Sequence, residues 1–246
     1  MTKEVTAFFD RLAPNWDNDM ARYHIREKII SLANIPTGSE IIDIGCGAGV
    51  MFEHLLKTNP SRIIAIDISS EMISIAKKSF SDSRITYING DILEASLPPL
   101  DAAIIFNAYP HFLDKPALVK KLATTIKPDG ILVIAHSMSK ELINGVHDGE
   151  VVSTLSMPLE EAHVEATRFD EFFLADTLID NDEFYFIKMI RRKRVSSIVK
   201  FKGASKEIAY DFKDELERGL QDIPVEEVVF NEYGTVNKNA VSDFCN

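Results

Sequence analysis

Residues 41–50 read Ile-Ile-Asp-Ile-Gly-Cys-Gly-Ala-Gly-Val, and no other stretch restricts the possible folds so strongly. An apolar run of strand length enters a turn with glycine at 45, 47 and 49, and a helical pattern begins directly after it. Glycines at that place let the backbone reverse sharply and let a ligand approach without interference from a Cβ. A dinucleotide fingerprint, G-x-G-x-x-G, would need Gly or Ala at position 50, where this chain has Val50. Asp43, two residues before the first glycine, disfavours a diphosphate at the turn and suits a cationic ligand group.

The pattern around this turn alternates. Residues 22–32 read as a helix, Glu40–Ile44 as a buried strand and 50–57 as a helix. Arg62–Asp67 reads as a second strand, with Ser69 or Ser70 capping the helix after it. Further strands are expected at 85–88, 102–106, 131–135 and 183–190. Helices are expected at 115–127, stopped by Pro128-Asp129-Gly130, and within 158–172. Strands separated by helices imply βαβ units and a mostly parallel, doubly wound α/β sheet. After Arg191-Arg192-Lys193-Arg194 the pattern changes to a strand at 195–201, a helix at 205–220 and a strand at 225–230. A boundary is therefore expected near Lys193, and the basic run reads as a solvated strand end.

The chain's 246 residues suit one large domain and a small appendage. A net charge of −11 argues against a broad electrostatic grip on nucleic acid. No apolar run reaches the roughly 18–20 residues of a membrane span. The first residues lack the pattern of a secretory signal, and two cysteines, Cys46 and Cys245, suit a reducing compartment. The expectation is a cytoplasmic protein with no membrane or nucleic-acid partner and no metal site.

Ile-Ile-Asp-Ile-Gly-Cys-Gly-Ala-Gly resembles motif I of the class I (Rossmann-like) S-adenosylmethionine-dependent methyltransferases, and later segments fall where that family places its own. Asp67 ends the second strand, as does the family's ribose-binding acid. Asn89-Gly90-Asp91-Ile92 follows the third, where the family holds the adenine. Phe106-Asn107-Ala108-Tyr109 follows the fourth, beside the methyl-donor region, and Lys127-Pro128-Asp129-Gly130 is similar to the turn before strand five. The resemblance covers about residues 5–192. It implies a seven-stranded sheet with a reversed last strand and a methyltransferase domain over 1–192, followed by a small α+β extension over 193–246. It also implies S-adenosylmethionine as cofactor, bound by Asp43, Gly45, Cys46, Gly47, Gly49, Asp67, Ile68, Met72, Asp91, Ile92 and Asn107.

Residues 8–17, with the single tryptophan Trp16, are similar to the opening of small-molecule methyltransferases, where this segment folds over the cofactor. His111 and His136 follow strands four and five and are the candidate catalytic residues on the acceptor side; His147 lies further on. Asn107-Ala108-Tyr109-Pro110 departs from the N/D-P-P-Y/F pattern of enzymes that methylate nucleic-acid amines or glutamine. The expected activity is methyl transfer to a small molecule by in-line displacement. The alternatives are a non-catalytic S-adenosylmethionine- or S-adenosylhomocysteine-binding regulator and an NAD-dependent oxidoreductase. The C-terminal extension is a candidate homo-oligomer contact.

Overall fold

A computed structural model describes residues 3–15, 22–147, 154–193, 197–200 and 207–210. The chain divides into two compact units, Met1–Arg192 and Lys193–Asn246.

The first unit is built on a seven-stranded sheet. Its strands are β1 (Glu40–Ile44), β2 (Arg62–Asp67), β3 (Ile85–Asn89), β4 (Leu100–Phe106), β5 (Ile126–His136), β6 (Phe173–Asp180) and β7 (Tyr185–Arg191), in the spatial order β3-β2-β1-β4-β5-β7-β6. The first five are parallel to one another, and β7 runs antiparallel to both β5 and β6. This is the Rossmann-like order with a reversed last strand. The central strands are buried on both faces, which is why they read as unbroken apolar runs and not as alternating ones.

Successive side chains feed opposite cores. Ile42, Ile44, Ile64, Ile66, Ile105 and Ile134 point to one face, and Ile41, Ile63, Ala65, Ile104 and Val133 to the other. The second face is covered by α2 (Tyr23–Ala33), α3 (Phe52–Lys57) and α4 (Ser70–Ser79) through residues such as Ile29, Phe52 and Ile73. The first face is covered by α5 (Lys115–Thr125), α6 (Lys140–His147) and α7 (Ala162–Thr167) through Leu118, Leu122, Ile143 and Ala166. Each fully buried isoleucine contributes about 1.5–3 kcal/mol of transfer free energy. A further helix, α1 (Lys3–Leu12), precedes a short 3₁₀ turn at Ala13–Asn15.

Local chemistry sets the helix starts. Ser69 caps α4, its hydroxyl accepting from the Met72 amide at 3.1 Å. Asp114 caps α5, with Pro116 in the first turn.

Three expectations need correction. The helix before strand five ends at Thr125, and Lys127–Gly130 bulges out inside β5, with Asp129 at φ 63°. The pairing jumps from Leu100↔Ile126 to Ala102↔Ile131 around it. An additional strand, β6, lies at the sheet edge; most of its residues are exposed or half-buried, so its apolar pattern is faint. In the second unit, β8 (Ser197–Lys200) pairs antiparallel with β9 (Glu207–Tyr210), where a helix was expected from 205. The rest of that expected helix and the strand at 225–230 lie outside the described residues. Among the described residues no helix is long and apolar enough to cross a membrane.

Candidate functional site

The strand order reverses at β1, which pairs with β2 on one side and β4 on the other. In an open α/β sheet a crevice opens at that point, beyond the carboxyl ends of the strands. Here it forms a cavity of about 460 Å³.

The glycine turn is its floor. Gly45, Gly47 and Gly49 have φ of 69°, 52° and 91°, a region that L side chains rarely adopt. The amides of Gly45 and Cys46 both donate to the Ile66 carbonyl, at 2.8 and 3.1 Å, and tie the turn to β2. A Cβ on Gly45 would stand 2.7 Å from that of Ala108, and one on Gly49 would stand 2.6 Å from the Phe52 ring. A Cβ on Gly47 would meet nothing within 4 Å. The first and third glycines thus serve packing, while the second keeps a ligand path open.

Two carboxylates stand at this turn. Asp67 lines the cavity and accepts from the Gly47 amide at 2.8 Å and the Ser69 amide at 2.9 Å. Burial raises its pKa, and those hydrogen bonds oppose the shift. Asp43 is buried behind the turn and is not part of the cavity wall. Neither of its oxygens has a hydrogen-bond partner among the described residues. Burial, and then the charge of Asp67, push its pKa up to about 7. Cys46 is a free buried thiol, and burial pushes its pKa well above the usual range, which disfavours the thiolate.

Of the residues expected to hold a cofactor, Gly45, Cys46, Gly47, Asp67, Ile68, Met72, Ile92 and Asn107 line the cavity. Asp43, Gly49 and Asp91 stand outside its wall. The Asp91 carboxylate accepts from the Leu93 amide at 2.9 Å. Asn107 sits at φ 52° and is clamped to Ser137: its amide donates to the hydroxyl at 3.2 Å and its carbonyl accepts from the backbone at 2.9 Å.

Both expected acceptor-side histidines line the cavity and are buried. His111 lies in a 3₁₀ turn, Tyr109–His111, held by the buried Lys115 amine, which donates to the Tyr109 carbonyl. Its Nδ1 is 3.1 Å from the Leu155 carbonyl, so Nδ1 carries a hydrogen. His136 ends β5 and packs edge-on against Tyr185. His147 ends α6; its side chain lies outside the described residues.

The N-terminal helix covers the crevice. Phe9 lines the cavity, its ring edge-on to His111 at 4.9 Å. Asp10 accepts from the Ser69 hydroxyl at 2.6 Å and so anchors α1 to the start of α4. Trp16 lies outside the described residues. Two lining residues carry no motif that would have marked them: Arg22 and Arg26, at the start of α2. Arg22 donates to the Ser137 carbonyl at 2.6 Å, and Arg26 to His54 at 3.4 Å. The signal available was an arginine at 26 between Ile25 and Ile29, on the buried side of a helix. No cluster suited to a metal ion occurs among the described residues.

Residues 41–130 match the family model described as "Methyltransferase domain". That stretch, a little over a third of the chain, is similar to methyltransferase domains. Among its curated relatives is a malonyl-[acyl-carrier protein] O-methyltransferase of Priestia megaterium, 39% identical over 97 residues, which are 39% of this chain and 35% of that protein. A ribosomal RNA small subunit methyltransferase A of Staphylococcus carnosus is 26% identical over 149 residues, or 57% and 50% of the two chains. The chain therefore spans half or less of the length of these relatives. Methyltransferases share its fold: the N-methyltransferase NodS of Bradyrhizobium japonicum, solved with S-adenosyl-L-homocysteine, superposes with a TM-score of 0.62 at 16% identity, covering 78% of this chain and all of that one. A SAM-dependent methyltransferase of Aquifex aeolicus gives 0.59 at 16%, covering 76% and 98%.

Proposed function

We propose that this chain binds S-adenosylmethionine in the crevice and transfers its methyl group to a small-molecule acceptor. The observation that carries the reading is the pair of carboxylates at the glycine turn. Asp67 in the cavity wall, with Asp43 buried behind the turn and without a hydrogen-bond partner among the described residues, disfavours a diphosphate there. They suit a ligand whose amino-acid tail and sulfur are positive. The open side of Gly47 supports the same fit, because the backbone there admits close approach.

When bound, the cofactor supplies a methyl carbon that an acceptor lone pair attacks as the C–S bond breaks, its electron pair passing to sulfur to leave a neutral thioether. The protein's own residues then have three tasks. Asp67 offers two acceptor oxygens to the ribose hydroxyls while the Gly47 and Ser69 amides hold it in place. Asp43 favours the cationic end through its charge alone. Ile68, Met72 and Ile92 supply apolar walls for the base.

Catalysis in such a site is mostly orientation and exclusion of water. Asn107, fixed by Ser137, and His111, fixed by Leu155, are rigid groups at the ends of β4 and of the turn beyond it. We assign His111 and His136 to the acceptor side, as orienting groups or as a base where the acceptor must lose a proton. Phe9 and α1 form the cover that keeps water out. The methyltransferase names of the relatives support transfer over a binding-only role.

Asp67→Ala tests the reading. Its loss removes charge-assisted hydrogen bonds to the ribose and should weaken S-adenosylhomocysteine binding by about 1–3 kcal/mol in calorimetry. An unchanged dissociation constant would refute the ribose role.

A further inference from the structure

The turn that carries His111 is held from behind by a buried polar network. Glu165 of α7 is 1% exposed and forms its hub. Its Oε2 accepts from the Tyr109 hydroxyl at 2.9 Å and from Nε of Arg168 at 2.8 Å, and its Oε1 lies 3.3 Å from the Glu160 amide. Tyr109 is fully buried and opens the 3₁₀ turn Tyr109–His111. The amine of Lys115, also buried, stands 3.2 Å above the Tyr109 ring and donates to the Tyr109 carbonyl. Tyr109, Lys115 and Glu165 all stand outside the cavity wall.

Each residue of the turn is pinned. Tyr109 is held at its hydroxyl and at its carbonyl. The Pro110 carbonyl accepts from the Met157 amide at 2.8 Å, and Nδ1 of His111 donates to the Leu155 carbonyl at 3.1 Å. The segment that supplies those two partners is fixed as well. Leu159 exchanges two hydrogen bonds with the Asn144 side chain, at 3.0 and 2.8 Å, and the Glu160 carbonyl accepts from the Tyr185 hydroxyl at 3.3 Å. Glu165 therefore braces the turn through Tyr109 and the segment that holds the His111 ring through the Glu160 amide.

Packing alone does not require these polar groups. Tyr109 shares an apolar core with Phe169 and Phe173, where a plain aromatic ring would fill the space. Buried ions are often no more stabilising than apolar residues of similar volume. Burial pushes the Lys115 amine down to about 7, although the Glu165 charge opposes the shift. Burial, and then the Glu165 charge, raise the pKa of Tyr109, so the phenol keeps the proton that it donates. What a fully bonded network adds is a single arrangement of the groups it joins. Of the turn's three residues only His111 lines the crevice, so the arrangement acts there on its imidazole.

We propose that Glu165, Tyr109 and Lys115 are positioning residues for the acceptor side: together they fix the turn so that His111 meets the crevice in one orientation and one tautomer, with the hydrogen on Nδ1. The proposal rests on the acceptor-side role given to His111 above and names the groups that impose it.

The test uses the full chain with S-adenosylhomocysteine bound and reads the histidine rings by proton–nitrogen NMR, the His111 signal being the one lost in His111→Gln. Ring nitrogen shifts report the tautomer, and hydrogen exchange at Nδ1 reports the bond to Leu155. Tyr109→Phe cuts the bond to Glu165 by removing one hydroxyl, and Lys115→Met removes the amine and keeps the stem. Each should quicken exchange at the His111 Nδ1 by about fivefold or more and move its nitrogen shifts toward the tautomer mixture of free histidine. Ile187→Val, one methylene smaller in the same core, controls for lost stability and should leave the His111 signals as in the native protein. S-adenosylhomocysteine affinity should stay within about twofold in all three, because none of these side chains lines the cavity. A native His111 with its hydrogen on Nε2 would overturn the proposal without recourse to any variant. So would unchanged His111 signals in Tyr109→Phe and Lys115→Met, or equal quickening in Ile187→Val. Failure of the native protein to bind S-adenosylhomocysteine in calorimetry would instead sink the methyl-transfer reading, so the two failures are distinguishable.

Discussion

Gly45 meets two demands at one residue: a φ of 69° and a Cβ position 2.7 Å from Ala108. Gly45→Ala should therefore cost about 1–3 kcal/mol in thermal or denaturant unfolding, with the double variant Gly45→Ala, Ala108→Gly recovering the steric part only. Asp43 makes a prediction in pH. Its folded pKa, about 7, lies above the ordinary 3.8, so between those values the folded state holds a proton that the unfolded state has lost. Stability from this group falls as pH rises through that window and levels off above about 7. Binding a cationic tail favours the ionised carboxylate, so S-adenosylhomocysteine should bind more weakly as pH drops below 7, by up to about tenfold per unit. Asp43→Asn should flatten that profile, and calorimetry across the range reads it. The glycines and both aspartates were legible in the sequence because a strand, a turn and an acid at fixed spacing leave little choice. Arg22 and Arg26 were not, because an arginine just before a helix or on its buried side has no spacing signature; only the folded chain shows what it faces.

Helix α1 meets the site through Phe9 and Asp10, and Asp10 makes its role testable by a small change. Asp10 accepts from the Ser69 hydroxyl and lies 3.4 Å from the Glu71 amide, at the same helix start that Asp67 braces through the Ser69 amide. Asp10→Ala should loosen α1 by about 1 kcal/mol. Amide hydrogen exchange over residues 3–12 should then quicken several-fold while the central strands stay protected. Unchanged exchange would show that Asp10 does not hold the helix. Among the strands, legibility followed burial. Strands β1, β2 and β4 are apolar runs because both faces are covered, whereas edge strand β6, half-exposed along its length, was assigned no element. The end of α5 was misplaced because Lys-Pro-Asp-Gly signals a reversal equally well after a helix or inside a bulged strand.

At the scale of the molecule, every described residue of the crevice lies within the unit Met1–Arg192. Residues 1–192 expressed alone should melt cooperatively and bind S-adenosylhomocysteine within about twofold of the full chain. A large loss would show that 193–246 contributes to the site. The α/β order followed from the alternation of apolar runs and helical patterns. Strand β8 falls within the strand expected at 195–201, but β9 at 207–210 lies where a helix was expected, because a short segment of mixed polarity fits either period. The account as a whole turns on which ligand the glycine turn was shaped for. Parallel calorimetric titrations of the full chain with S-adenosylhomocysteine and with NADH decide that directly. One equivalent of the first should bind, with the second silent; NADH bound and S-adenosylhomocysteine silent would contradict the account.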